Sequence, residues 1–108
     1  MFDVSKMKDK VTRALTGSNK VQRASDEATD AMPADKAAAL TALGIARDEL
    51  DKLKVLDRDY RDGLNKNRKV IEASPERAKI EKLLLSVAQS LLAAERAVLA
   101  ATAVVKKG

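Results

Sequence analysis

The apolar residues of the C-terminal third repeat with a period close to 3.5, and this pattern constrains the fold more than any other feature of the sequence. The main seam advances by alternating steps of four and three residues, through Ile80, Leu84, Val87, Leu91, Ala94, Val98, Ala101 and Val105. Such a seam is typical of a helix packed along its length against another helix. Ser74 and Pro75 suit its start, and Lys106 and Lys107 suit its end. We therefore predict one long helix, helix 3, over about 75–106.

A second apolar row widens the same helix on one flank. It consists of Leu85, Leu92 and Leu99, which repeat every seven residues. Leu83, Ala97 and Val104 widen the opposite flank. Together with the seam, the two flanks make roughly 200° of the helix surface apolar, whereas a one-sided surface helix needs only ~100°. Because one neighbouring helix cannot cover so wide an arc, we predict a partner-binding face. Its residues are Leu85, Leu92, Leu99, Val98 and Val105.

The length and hydropathy of helix 3 also raise the question of a membrane. Leu83 to Val105 is long enough to cross a bilayer. Glu95 and Arg96, however, would each cost about 2.5 to 3.5 kcal/mol near its centre, whereas each Leu or Val returns only ~0.3 to 0.6 kcal/mol. The balance favours a helix packed against protein over a membrane span.

Two further helices are predicted upstream. Pro33 marks a boundary, after which a heptad-like pattern of leucine and alanine predicts helix 2 over about 34–72, with a bend or fraying between Gly63 and Asn67. Helix 1, over about 3–31, has a thinner apolar seam and is expected to be ordered mainly by docking onto the other two. Asp3 is its candidate N-cap, and the sequence leaves open whether the helix breaks at Gly17.

Composition selects the fold class. Of the 108 residues, 45% are hydrophobic and 34% charged, but only 2% are aromatic. A core of Ala, Leu and Val suits closely spaced helices, and no alternating run of β-branched residues predicts a sheet. The fold is therefore predicted to be all-α, in a single domain over 1–108. It is either a three-helix antiparallel bundle or a long helical hairpin with a docked N-terminal helix, with coiled-coil-like packing in both cases.

The predicted order of the helices also brings basic residues together. Since only a few residues link helices 2 and 3, these helices are antiparallel neighbours, and the start of helix 1 lies at their hairpin end. The cations expected there are Lys6, Lys8, Lys10, Arg13, Lys66, Arg68 and Lys69. They are candidates for binding phosphate groups of lipid or nucleic acid. No aromatic residue interleaves with them, so stacking on single-stranded bases is not indicated.

The sequence points away from catalysis. It contains no Cys and no His, which removes thiolate and imidazole chemistry, and we expect no cofactor, metal or small-molecule substrate. Acidic residues interleave with Arg and Lys, as on an ion-paired helix face. Tyr60 falls on the seam of helix 2 and is expected to pack at the core with its hydroxyl reaching water.

The functional prediction is a non-enzymatic interaction or assembly protein. Helix 3 would either self-associate or bind a helix of another protein. Two alternatives stay open: binding to anionic lipid surfaces, through helix 1 and helix 3, and binding to nucleic acid through the basic end. Because no apolar signal-peptide core opens the sequence, a cytoplasmic protein is expected, with export by a signal-free route not excluded.

Overall fold

The chain folds into long helices, as a computed structural model shows for residues 4–107. Within these residues the helices are α1 (Val4–Ala31), α2 (Lys36–Lys66), α3 (Arg68–Glu72) and α4 (Arg77–Lys107), and there is no strand. The prediction of an all-α bundle is confirmed. The candidate cap Asp3 lies outside the described residues.

The helix boundaries follow from local capping. Asp35 precedes α2, and its carboxylate accepts a hydrogen bond from the backbone N–H of Ala38 at 3.0 Å. This contact satisfies one of the donors that lack a partner in the first turn. In contrast, α1 continues through Gly17 without a break. A single glycine lowers helix stability by about 1 kcal/mol relative to alanine, which packing along the rest of α1 outweighs.

The predicted helix 2 is divided into α2 and α3 at Asn67. The side-chain amide of Asn67 donates to the carbonyl of Gly63 at 2.7 Å, and its backbone N–H bonds to the carbonyl of Leu64 at 3.1 Å. These bonds tighten the last turn of α2 and compete with the regular helical ladder. The interruption therefore falls within the region where the sequence predicts a bend.

The helices form a narrow rod whose principal extents are 56 × 17 × 17 Å. α1 packs against both α2 and α4 along its length, whereas α2 and α4 meet each other less extensively. The buried side of α1 contains small residues, among them Ala14, Ala24 and Ala28. Small side chains allow α1 to approach both neighbours closely, so the helix with the thinnest seam holds the bundle together.

The buried core has two parts along the rod. The larger part includes Met7, Val21, Leu53, Tyr60 and Val87. The smaller part lies where α1 ends and α2 begins, and it is made chiefly of alanines with Leu43 and Val105. Alanine-rich packing brings the helices close together at this end, while the bulkier side chains fill the remainder of the rod.

Candidate interaction surface

A row of leucines on α4 points away from the bundle. We call Leu85, Leu92 and Leu99 the outer leucine row; their side chains are 56%, 47% and 69% exposed. Val87, Ala94 and Ala101, each two residues further on, are buried. A step of two residues turns about 200° around a helix, so the row lies on the side of α4 opposite the core. Neither α1 nor α2 covers it.

Two residues of the predicted face belong to the interior instead. Val98 and Val105 are both buried in the core. They follow the main seam of α4, and α1 and α2 pack over this seam. Because a partner arriving from solvent does not reach them, the prediction that these two valines bind a partner is corrected to a structural role in the core.

An open groove with a volume of about 650 Å³ borders the outer leucine row. Arg61 and Leu64 of α2 form one wall, and Leu84, Leu85 and Ala88 of α4 form the other. The groove exists because α2 and α4 make less contact with each other than either makes with α1. Leu85 belongs to both the groove and the leucine row, so the two features form one continuous apolar surface.

The α2 wall of this surface is basic. Arg47, Lys54 and Arg61 repeat every seven residues, and we call them the basic column. Arg47 lies close to α4, since its Nη2 is 3.5 Å from Oγ1 of Thr102. Arg61 pairs with Asp57 of its own helix at 3.1 Å. Arg47 and Lys54 have no carboxylate within ion-pair distance among residues 4–107.

The α4 wall carries two carboxylates, fourteen residues apart. Glu81 lines the groove and pairs with Arg77 at 3.0 Å. Glu95 is half-buried on the same flank of the leucine row, and it has no ion pair within the described part of the chain. Apolar residues flanked by fixed charges of both signs give this surface directional character that a plain hydrophobic patch lacks.

Two buried hydroxyls were not foreseen from the sequence. Tyr60 is only 2% exposed, and its hydroxyl lies inside the core without a hydrogen-bond partner among the described residues, contrary to the expected contact with water. Burial raises the pKa of Tyr60 to about 12, because the phenolate is poorly solvated there. Ser25 of α1 is similarly buried and unpartnered in the described structure. Neither hydroxyl lines the groove, so both matter for stability.

The basic residues predicted at one end of the rod are at the surface. α1 and α2 are antiparallel neighbours, so the start of α1 and the end of α2 share an end of the bundle. Lys6, Lys8, Arg13, Lys66, Arg68 and Lys69 are exposed there, and Lys10 is half-buried. Arg68 pairs with Glu72 at 3.2 Å. Binding of phosphate groups at this end remains a prediction.

α4 is strongly apolar, although little of it is buried. An 18-residue window of α4 has a mean hydropathy of 1.5, yet only 22% of that window is buried in the bundle. By length and composition, α4 is the one helix within residues 4–107 that is apolar enough to cross a membrane. Comparison of the chain with known protein families, curated proteins and solved structures finds no match.

Proposed function

We propose that this protein is a non-enzymatic assembly protein that associates with another helix through the outer face of α4. The observation that supports the proposal is the outer leucine row, which α1 and α2 leave exposed on the side opposite the core. Exposed apolar side chains are ordinary when they occur singly, as Leu40 and Val55 do on α2. A row of three at heptad spacing beside an apolar groove is instead typical of a docking surface.

The size of the row indicates the strength of association to expect. Burying a fully exposed leucine stabilises by about 1.5 to 3 kcal/mol, so each half-exposed leucine contributes roughly half as much. Three leucines on each of two helices then contribute roughly 4 to 9 kcal/mol. The loss of translational and rotational freedom opposes association by about 4 to 15 kcal/mol. The complex should therefore be weak, reversible and dependent on concentration.

The double variant Leu92→Glu/Leu99→Glu tests this function. Charged side chains on the row should oppose burial against another helix and lower the mass measured by analytical ultracentrifugation across a wide concentration range. Helicity by circular dichroism should be unchanged, since both positions point to solvent. A matched control is Leu40→Glu/Ile45→Glu, which adds the same charges at exposed positions of α2. An unchanged mass for the α4 variant would contradict association through this face.

Lipid binding is a second candidate, which the exposed hydropathy of α4 favours. Full insertion is disfavoured because Glu95 and Arg96 lie within the apolar stretch and because α4 would have to leave the core. The apolar side of α1 is buried in the bundle, so a lipid surface would meet the outer face of α4. Co-sedimentation with anionic vesicles should then occur at low salt and weaken as salt rises. Absence of binding at low salt would eliminate this candidate.

A further inference from the structure

We propose that the occupant of the outer face of α4 is a second copy of this chain, bound antiparallel about a twofold axis near Leu92. This inference rests on the proposed function and specifies its partner. A twofold interface joins the same patch on both subunits, so the patch must be complementary to itself. This condition is met at a single register, in which Leu92 of one copy lies opposite Leu92 of the other. At that register the leucines pair with leucines, and the carboxylates face the basic column.

The leucines set the register. In an antiparallel pair centred on Leu92, each residue lies level with the residue equally far on the other side of that centre. Leu92 then meets Leu92, and Leu85 meets Leu99 of the second copy. Heptad spacing therefore pairs every leucine of the row with a leucine.

The charges agree with this register. Glu95 of the second copy is level with Gln89, one residue from Ala88, and Ala88 shares the groove with Arg61. Glu81 of the second copy is level with Ala103, one residue from Thr102, which Arg47 contacts at 3.5 Å. The twofold axis keeps the α2 flank of both copies on the same side of the pair. Each carboxylate of one copy therefore faces a member of the basic column of the other copy.

The parallel arrangement lacks this complementarity. A twofold axis that runs along two parallel α4 helices would place the α2 flanks of the two copies on opposite sides of the pair. Glu81 and Glu95 of one copy would then not face the basic column of the other copy. In the antiparallel pair, Arg96 stands within one residue of the level of Gln89 of the second copy, which is neutral. The dipoles of the two α4 helices also attract each other when the helices are antiparallel, whereas they repel each other when the helices are parallel.

Charge reversal at Arg47 and Glu81 tests the arrangement. In the antiparallel dimer these two side chains form two equivalent pairs. Either Arg47→Glu or Glu81→Lys alone makes both pairs repulsive, and we expect the dimer dissociation constant to rise about tenfold. An equimolar mixture of the two variants, or both changes in one chain, should restore much of the lost affinity. The measurement is sedimentation of the full chain at low ionic strength, where such pairs are least screened.

Matched controls carry the same change of charge elsewhere. Arg23→Glu and Glu27→Lys both lie on the exposed side of α1, away from the outer face of α4. Neither should change the dissociation constant by more than about twofold, because neither side chain faces the second copy in this arrangement.

The outcomes separate this inference from the proposed function. Weakening by each reversal with recovery in the combination supports the antiparallel dimer. If Leu92→Glu/Leu99→Glu dissociates the assembly while the charge reversals behave like their controls, the arrangement is wrong and association through α4 stands. If the unmodified chain stays monomeric up to about millimolar concentration, the second copy is not the occupant and self-association is excluded as well.

Discussion

α1 and α4 are helices of similar length that face the same core, but they differ in what they present to solvent. The exposed side of α1 carries charged residues such as Arg23 and Glu27, and Leu15 is the one large hydrophobic side chain exposed on α1 among the described residues. The exposed side of α4 carries the outer leucine row in addition to a complete buried seam. α1 therefore exposes a single large apolar side chain, whereas α4 exposes a row of them, and such a row is typical of an interaction surface.

The largest expected effect on stability is the difference between substitutions on the buried side and on the exposed side of α4. Val87→Asp places a carboxylate where the side chain is fully buried, and we expect the free energy of unfolding to fall by more than about 3 kcal/mol. Leu92→Asp, on the opposite side, should lower it by only about 1 kcal/mol, since about half of this side chain is already exposed. Urea denaturation at low micromolar protein measures both. Similar losses for the two variants would mean that Leu92 is covered within the monomer.

The second prediction concerns Tyr60 in α2, the helix that α1 and α4 share as a neighbour. Its pKa is about 12 in the folded chain and near 10 in the unfolded chain. Between these values the unfolded state releases the phenolic proton and the folded state retains it. The stabilisation is therefore present below pH 10 and is lost as pH rises, by about 1.4 kcal/mol per pH unit within this window.

Tyr60→Phe isolates this contribution from the titration of lysines in the same range. The variant has no phenolic proton, so its free energy of unfolding should fall less steeply between pH 10 and 12 than that of the unmodified chain. Chemical denaturation of both proteins across this range gives the difference directly. A constant difference over the window would show that the phenol is solvated in the folded state.

How far the sequence predicts this architecture depends on which residues carry the signal. The heptad steps of α4 predict both its buried seam and its exposed leucines, because periodicity reports which residues share a face. Periodicity does not report which faces a tertiary fold covers, and this is why Val98 and Val105 were assigned to a partner. The same limitation explains why the role of α1 was underestimated. Its seam of small residues is weakly hydrophobic, yet these small side chains permit close contact with both neighbouring helices.

The candidate surface was only partly predictable. The leucine row can be identified along one helix, but the basic column becomes part of the same surface only because α2 packs beside α4. In the sequence alone, Arg47, Lys54 and Arg61 are explained equally well as solvated cations on an exposed helix face. The contact between Arg47 and Thr102 joins residues on different helices, and no local sequence pattern predicts it. Pairing between helices therefore comes from packing, which sequence spacing alone does not determine.

Two serines on α1, seven residues apart, should respond to the same substitution with opposite signs. The hydroxyl of Ser18 donates to the carbonyl of Ser90 in α4 at 2.9 Å, so Ser18→Ala should destabilise by about 0.5 to 1 kcal/mol. The hydroxyl of Ser25 is buried without a partner in the described structure, so Ser25→Ala should stabilise by about 1 kcal/mol. Thermal and urea unfolding of the two variants measure the difference. Equal effects would contradict this contact between α1 and α4.

The smallest effect tests how closely α1 approaches α2. A Cβ added at Gly17 of α1 would lie 3.5 Å from Cδ1 of Leu53, an ordinary contact, whereas a Cβ at Gly44 of α2 would meet no described atom within 4 Å. Both substitutions to alanine should therefore raise the free energy of unfolding by about 0.5 to 1 kcal/mol, since each favours the helix. Gly44→Ala serves as the control for helix propensity alone. If Gly17→Ala destabilises while Gly44→Ala stabilises, α1 lies nearer to α2 than the 3.5 Å contact indicates, and Gly17 is required for the approach of the two helices rather than merely tolerated within α1.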